Sequence, residues 1–120
     1  MKNVMIVDDT MFMRLSIRKM LEKYDFNIVG EAKNGLEAVE LYKKLKPDIV
    51  TMDITMPEMS GIDALKNIIS FDPKAKVVMI SALGQETMVK EAIILGAKTF
   101  IVKPFQEERI IQTLNKLLGS

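Results

Sequence analysis

The sequence predicts an α/β fold of five strand–helix units, (βα)5, doubly wound about a five-stranded parallel sheet. Three observations predict it. Short apolar runs rich in valine and isoleucine recur along the chain, and they are continuous rather than alternating, as strands covered on both faces must be. Between the runs, apolar residues fall at helical spacing and form faces wide enough to cover a sheet. The 120 residues hold five such units, too few for an eight-unit closed barrel.

Each element has its own warrant. The first run is Val4–Val7, followed by a stripe of Met13, Ile17, Met20, Leu21 and Tyr24. The second run is short, Ile28-Val29. Its helix is announced by Asn34-Gly35, carries Ala38, Val39, Tyr42 and Leu45, and is closed by Lys46-Pro47. Ile49–Met52 is the third run, with Ile62, Leu65, Ile68 and Ile69 behind it and Asp72-Pro73 as the stop. Val77–Ile80 is the fourth, followed by Met88, Val89, Ala92 and Ile93 and then Gly96. Phe100–Val102 is the fifth, and Ile110, Ile111, Leu114, Leu117 and Leu118 form the last helix stripe. Parallel strands need crossovers, which are right-handed almost without exception. The flavodoxin-like strand order 2-1-3-4-5 is the expected arrangement.

Composition removes several kinds of chemistry. With no cysteine there is no disulfide, thiol nucleophile or zinc–thiolate site. With no histidine there is no Ser-His-Asp catalysis and no imidazole metal site. Lys plus Arg is 17 and Asp plus Glu is 16, a net charge of +1. That balance gives no footprint for nucleic acid or an anionic membrane. Val4–Val7 runs directly into Asp8-Asp9, so it is no secretory segment, and no run approaches the roughly 20 residues of a membrane span. The expectation is one cytoplasmic domain covering residues 1–120, ending just after its last helix with no output domain.

The polar residues fall at strand ends. Asp8 and Asp9 end the first strand, Asp53 the third, Ser81 the fourth and Lys103 the fifth. In a parallel sheet all carboxyl ends share one edge, so these side chains converge. The crevice between the first and third strands is the switch point where α/β ligands sit. Three carboxylates in one crevice repel one another unless a cation sits among them, and oxygen-only donors suit a hard ion such as Mg2+. An aspartate can itself attack phosphorus. Ser81 can donate to a phosphoryl oxygen, and the Lys103 ammonium can offset its charge.

Those residues carry a resemblance. Asp8-Asp9, Asp53-Ile54-Thr55-Met56-Pro57, Gly61, Ser81-Ala82 and Lys103-Pro104-Phe105, in that order at matching strand ends, resemble a bacterial response-regulator receiver domain over essentially the whole chain. The segment Asp53–Asp63 and the run Phe12-Met13-Arg14 are most similar to the stand-alone chemotaxis type. Chemotaxis receivers are among the known examples of this strand order, so the switch-point rule is borrowed from them.

The resemblance implies roles. Asp53 is the phosphoacceptor. Asp9 binds Mg2+ directly and Asp8 largely through water, with Asp53 and the Thr55 backbone carbonyl as further ligands. Lys103 contacts the phosphoryl group, and Ser81 is the switch hydroxyl, coupled to the aromatic Phe100. The Lys103–Pro104 peptide is expected to be cis. Thr55 and Leu83 border the water that hydrolyses the aspartyl phosphate, and Leu83 is apolar there. Phe100 lacks the phenolic hydroxyl of the tyrosine that several chemotaxis receivers carry. The implied partners of a monomer are a sensor histidine kinase, the flagellar motor switch protein and a phosphatase, with no nucleic acid or membrane. A phosphorelay intermediate is the alternative within the family.

Plainer readings stand beside these. Asp8-Asp9 would also serve as a helix cap, Asp53 as a turn residue, Ser81 as a helix cap or a satisfied core hydroxyl and Lys103 as a surface lysine. Pro57 and Gly61 are expected only to shape a loop and a helix start. The ten methionines read mainly as adaptable core filler, with Met11, Met56, Met59 and Met88 as a plastic surface. Two other classes fit poorly. A flavin-binding protein would not place acids in the first loop. An aspartate-based phosphatase wants an acid where Thr55 stands. The protein is expected to be no enzyme beyond its own phosphorylation and dephosphorylation.

Overall fold

A computed structural model describes residues 2–119. The chain alternates strand and helix throughout: β1 (Lys2–Val7), α1 (Met11–Glu22), β2 (Phe26–Ala32), α2 (Gly35–Leu45), β3 (Ile49–Asp53), α3 (Gly61–Phe71), β4 (Val77–Ser81), α4 (Glu86–Leu95), β5 (Thr99–Val102) and α5 (Glu107–Leu117). The strands form one parallel sheet in the order β2-β1-β3-β4-β5, as the sequence predicts.

The pleat sorts side chains into two cores. Val4, Ile6, Ile49, Val78, Ile80 and Ile101 pack with Ile17 and Leu21 of α1 and Ile110, Ile111 and Leu114 of α5. Met5, Val7, Val50, Met52, Val77 and Met79 pack on the opposite face with α2, α3 and α4. Side chains alternate along a strand with period two, so the central strands β1, β3 and β4 supply both layers. This is why the central strands read as unbroken apolar runs. Met5, Met52 and Met79 are fully buried filler, and Met56 is buried as well, so it belongs to the core and not to a plastic surface.

The helix starts are capped by side chains at three of the five positions. Thr10 Oγ1 accepts from Met13 N, Asn34 Oδ1 from Glu37 N and Ser60 Oγ from Asp63 N. Thr10, not Asp8 or Asp9, therefore caps α1. Three expectations are corrected. Tyr24 lies beyond the end of α1, where the chain turns through Asp25 at φ 67°, and its hydroxyl donates to Glu107 instead of packing inward. On α4 only Val89 and Ala92 are buried, and Met88 and Ile93 are exposed. β2 runs from Phe26 to Ala32, well beyond Ile28-Val29. It is an edge strand whose side chains are half-buried, so its signal is diluted.

Gly61 does more than open a helix. Its N–H donates to the Ile54 carbonyl at 2.7 Å, and a Cβ there would lie 2.0 Å from the Asp53 carbonyl oxygen. That neighbour is backbone and cannot swing away. Gly61→Ala is expected to destabilise the protein by about 1–3 kcal/mol through overpacking and to displace Asp53. Denaturant unfolding measures the first effect and divalent-cation titration the second.

Candidate functional site

Strand parity assembles the charged residues. Asp8 continues the face of Val4 and Ile6, Asp53 that of Ile49, and Lys103 that of Ile101. All three thus fall on the α1/α5 side of the sheet at its carboxyl rim. Asp53 is the last residue of β3, whereas Asp8 and Lys103 lie one residue past β1 and β5. Lys103 Nζ stands 3.5 Å from Asp8 Oδ2 and 3.5 Å from Asp53 Oδ1. The carboxylates of Asp8, Asp9 and Asp53 each offer an oxygen within 4.8 Å of the others.

The three acids are held differently. Asp8 is buried, and its Oδ1 accepts from the Thr10 N–H at 3.0 Å and the Thr10 hydroxyl at 3.1 Å. Asp9 is exposed. Asp53 is 7 % exposed. Burial is the main cause that pushes its carboxyl up to about 6; Lys103 opposes the rise, and the negative charges of Asp8 and Asp9 add to it. One ammonium does not neutralise three carboxylates. A hard divalent cation with oxygen ligands fits this donor set and would relieve the repulsion.

Ser81 follows the opposite parity. It borders a cavity of about 560 Å³ shared with Leu83, Val89, Ile93, Phe100 and Val102, on the α4 side of the sheet. Its Oγ is buried without a hydrogen-bond partner, and among the described residues only Thr51 Oγ1 shares that condition. Ser81 is therefore neither a helix cap nor a satisfied core hydroxyl. Such an orphan costs stability in this state. Phe100 lines the same cavity and is 37 % exposed.

Around the rim, Thr55 Oγ1 accepts from Gln85 Nε2 at 2.8 Å, and Gln85 Oε1 accepts from the Ala82 N–H at 2.7 Å. Leu83 projects outward, 79 % exposed. Gln85, rather than Leu83, is thus the β4–α4 loop side chain that reaches Thr55. Sequence reasoning passed over Gln85, because no spacing rule connects it to Thr55. The Lys103–Pro104 peptide is cis, as expected.

Comparison with known proteins agrees with this geometry. The profile of the response regulator receiver domain family matches residues 4–115. The chain is 60 % identical over 116 residues to the chemotaxis protein CheY of Thermotoga maritima, covering 97 % of each chain. It is 57 % identical over 116 residues to CheY of Listeria monocytogenes, covering 97 % of this chain and 98 % of the relative. Among solved structures, the CheX-CheY-BeF3-Mg complex of Borrelia burgdorferi matches with a TM-score of 0.93 and 47 % identity, over 98 % of this chain and 89 % of the other. No helix among the described residues is long and apolar enough to cross a membrane.

Burial of Asp53, with the neighbouring acids adding to it, sets a pH signature. A carboxyl raised from 3.8 to about 6 by folding binds its proton more tightly in the native state. Without metal, the fold therefore loses stability as pH rises between those values. Asp53→Asn removes that charge and is expected to stabilise the metal-free protein by about 1–3 kcal/mol at pH 7. The gain should fade below about pH 4, where Asp53 is protonated in both states, and shrink when Mg2+ is added. Thermal unfolding across pH, with and without Mg2+, measures it; a less stable Asn variant at pH 7 would contradict the account.

Proposed function

Because the chain belongs to the response regulator receiver family, with CheY proteins among its relatives, we propose that it acts as a stand-alone chemotaxis response regulator. In this reading a sensor histidine kinase phosphorylates Asp53, and the phosphorylated domain binds the flagellar motor switch protein. The observation that carries it is the cluster of Asp8, Asp9 and Asp53 beside Lys103 at the rim of a receiver fold. The reading takes the chain as a single receiver domain, 1–120, acting in the cytoplasm as a monomer.

The residues divide the work. An Asp53 carboxylate oxygen attacks the phosphorus of a phosphohistidine. The P–N bond breaks, and the imidazole leaves with its electron pair and takes up a proton. Asp8, Asp9, Asp53 and the Thr55 carbonyl would hold Mg2+, which when bound supplies two positive charges to the crevice and binds phosphoryl oxygens. Lys103, already between Asp8 and Asp53, offsets charge on the transferred group. The reaction modifies the protein itself, and a phosphatase partner or hydrolysis beside Thr55 reverses it.

Switching uses the orphan hydroxyl. A phosphoryl group on Asp53 adds acceptor oxygens that Ser81 Oγ lacks in the resting protein. Drawing Ser81 toward them shifts the loop over the cavity, and the half-exposed Phe100 ring can turn into the vacated space. Ring burial is then the signal, since phenylalanine offers no hydroxyl.

Incubation with a small acyl-phosphate donor and Mg2+ should add one acid-stable, base-labile phosphoryl group. Asp53→Asn and chelation of Mg2+ should each abolish it, and labelling that survives Asp53→Asn would overturn the assignment. Ser81→Ala should still accept phosphate yet lose most of the phosphorylation-dependent gain in partner affinity, read by titration against the motor switch protein. An undiminished gain would refute the coupling route.

A further inference from the structure

The function above assigns no work to Arg14, the charged residue of the Phe12-Met13-Arg14 run. Arg14 lies in the first turns of α1 with a side chain only 14 % exposed. Its Nη1 donates to the backbone carbonyl of Asp8 at 2.7 Å, and its Nε donates to Glu31 Oε1 at 3.2 Å. The other Glu31 oxygen is held by Arg18 at 2.7 Å. The guanidinium is thus braced from the edge strand β2 against the acid loop.

That contact completes a cage around Asp8. Its N–H donates to the Ala32 carbonyl at 3.1 Å, its Oδ1 accepts twice from Thr10, and its Oδ2 faces Lys103. Only the carbonyl remains, and Arg14 takes it. Fixing that carbonyl fixes the plane of the Asp8–Asp9 peptide. No hydrogen bond holds the exposed Asp9 side chain among the described residues, so the backbone that carries it is what the contacts fix.

We propose that Arg14 is a positioning residue for the cation site, orienting the Asp8–Asp9 peptide so that both carboxylates face Asp53. The inference rests on reading the acid cluster as a Mg2+ site. A positive charge so near a divalent cation is unfavourable by Coulomb's law alone. Its presence is consistent with a geometric role, and Glu31 offsets its charge.

The opposing charge makes the test sharp. Metal-free protein is titrated with MgCl2 by calorimetry near neutral pH, for the unmutated chain, Arg14→Gln and Arg14→Lys. Positioning predicts about tenfold weaker Mg2+ binding for Arg14→Gln. It also predicts weaker binding for Arg14→Lys, which keeps the charge but cannot span Asp8 and Glu31 with a planar fork. Charge alone predicts the reverse: tighter binding for Arg14→Gln and no change for Arg14→Lys. Either of those results overturns the proposal. Metal-free thermal unfolding identifies a misfolded Arg14→Gln, in which case Arg14→Lys decides. An unmutated chain that takes up no Mg2+ overturns the metal reading itself, before any variant is compared.

Discussion

Mutual repulsion among three carboxylates is the constraint on which this molecule turns. The sheet forces Asp8, Asp9 and Asp53 together and gives them one ammonium, on Lys103. Such a cluster is unfavourable by itself: burial first, and then the charges of Asp8 and Asp9, raise the Asp53 carboxyl against the pull of Lys103. The fold tolerates it because backbone and neighbouring side chains grip each acid loop: Thr10 and Arg14 on Asp8, and Gly61 pressed against the Asp53 carbonyl. Stability given up at the rim becomes affinity for positive charge.

The grip depends on ordinary packing below the rim. The two apolar layers lock strand register, and register decides which side chains share a face. A one-residue slip of β3 would turn Asp53 toward α3 and bring Met52 to the α1 side. The buried strand interiors thus position the site as much as the residues in it.

How much of this the sequence discloses follows from the same physics. Doubly covered strands announce themselves as unbroken apolar runs, so β1, β3 and β4 are legible. β5, an edge strand, is legible because its short run Phe100–Val102 is apolar although only Ile101 is buried, and with these strands come the acids, Ser81 and Lys103 at their ends. The half-buried edge strand β2 is only partly legible, and the exposed flank of α4 reads as more buried than it is. Features fixed by loop conformation leave no pattern. Gln85 meets Thr55 across 30 positions, Arg14 meets a backbone oxygen, and Gly61 is needed because another segment's carbonyl lies against it. Backbone partners have no residue identity, so no motif encodes them.

The opposite parities of Asp53 and Ser81 have a consequence for how such a protein diversifies. The sheet is a partition: ionic chemistry occupies one chamber, and the apolar recess around Phe100 opens on the other. Under the proposed coupling, a message would cross where β4 ends, at Ser81. The two chambers can then change separately, the recess acquiring new contours while the acid cluster stays as it is.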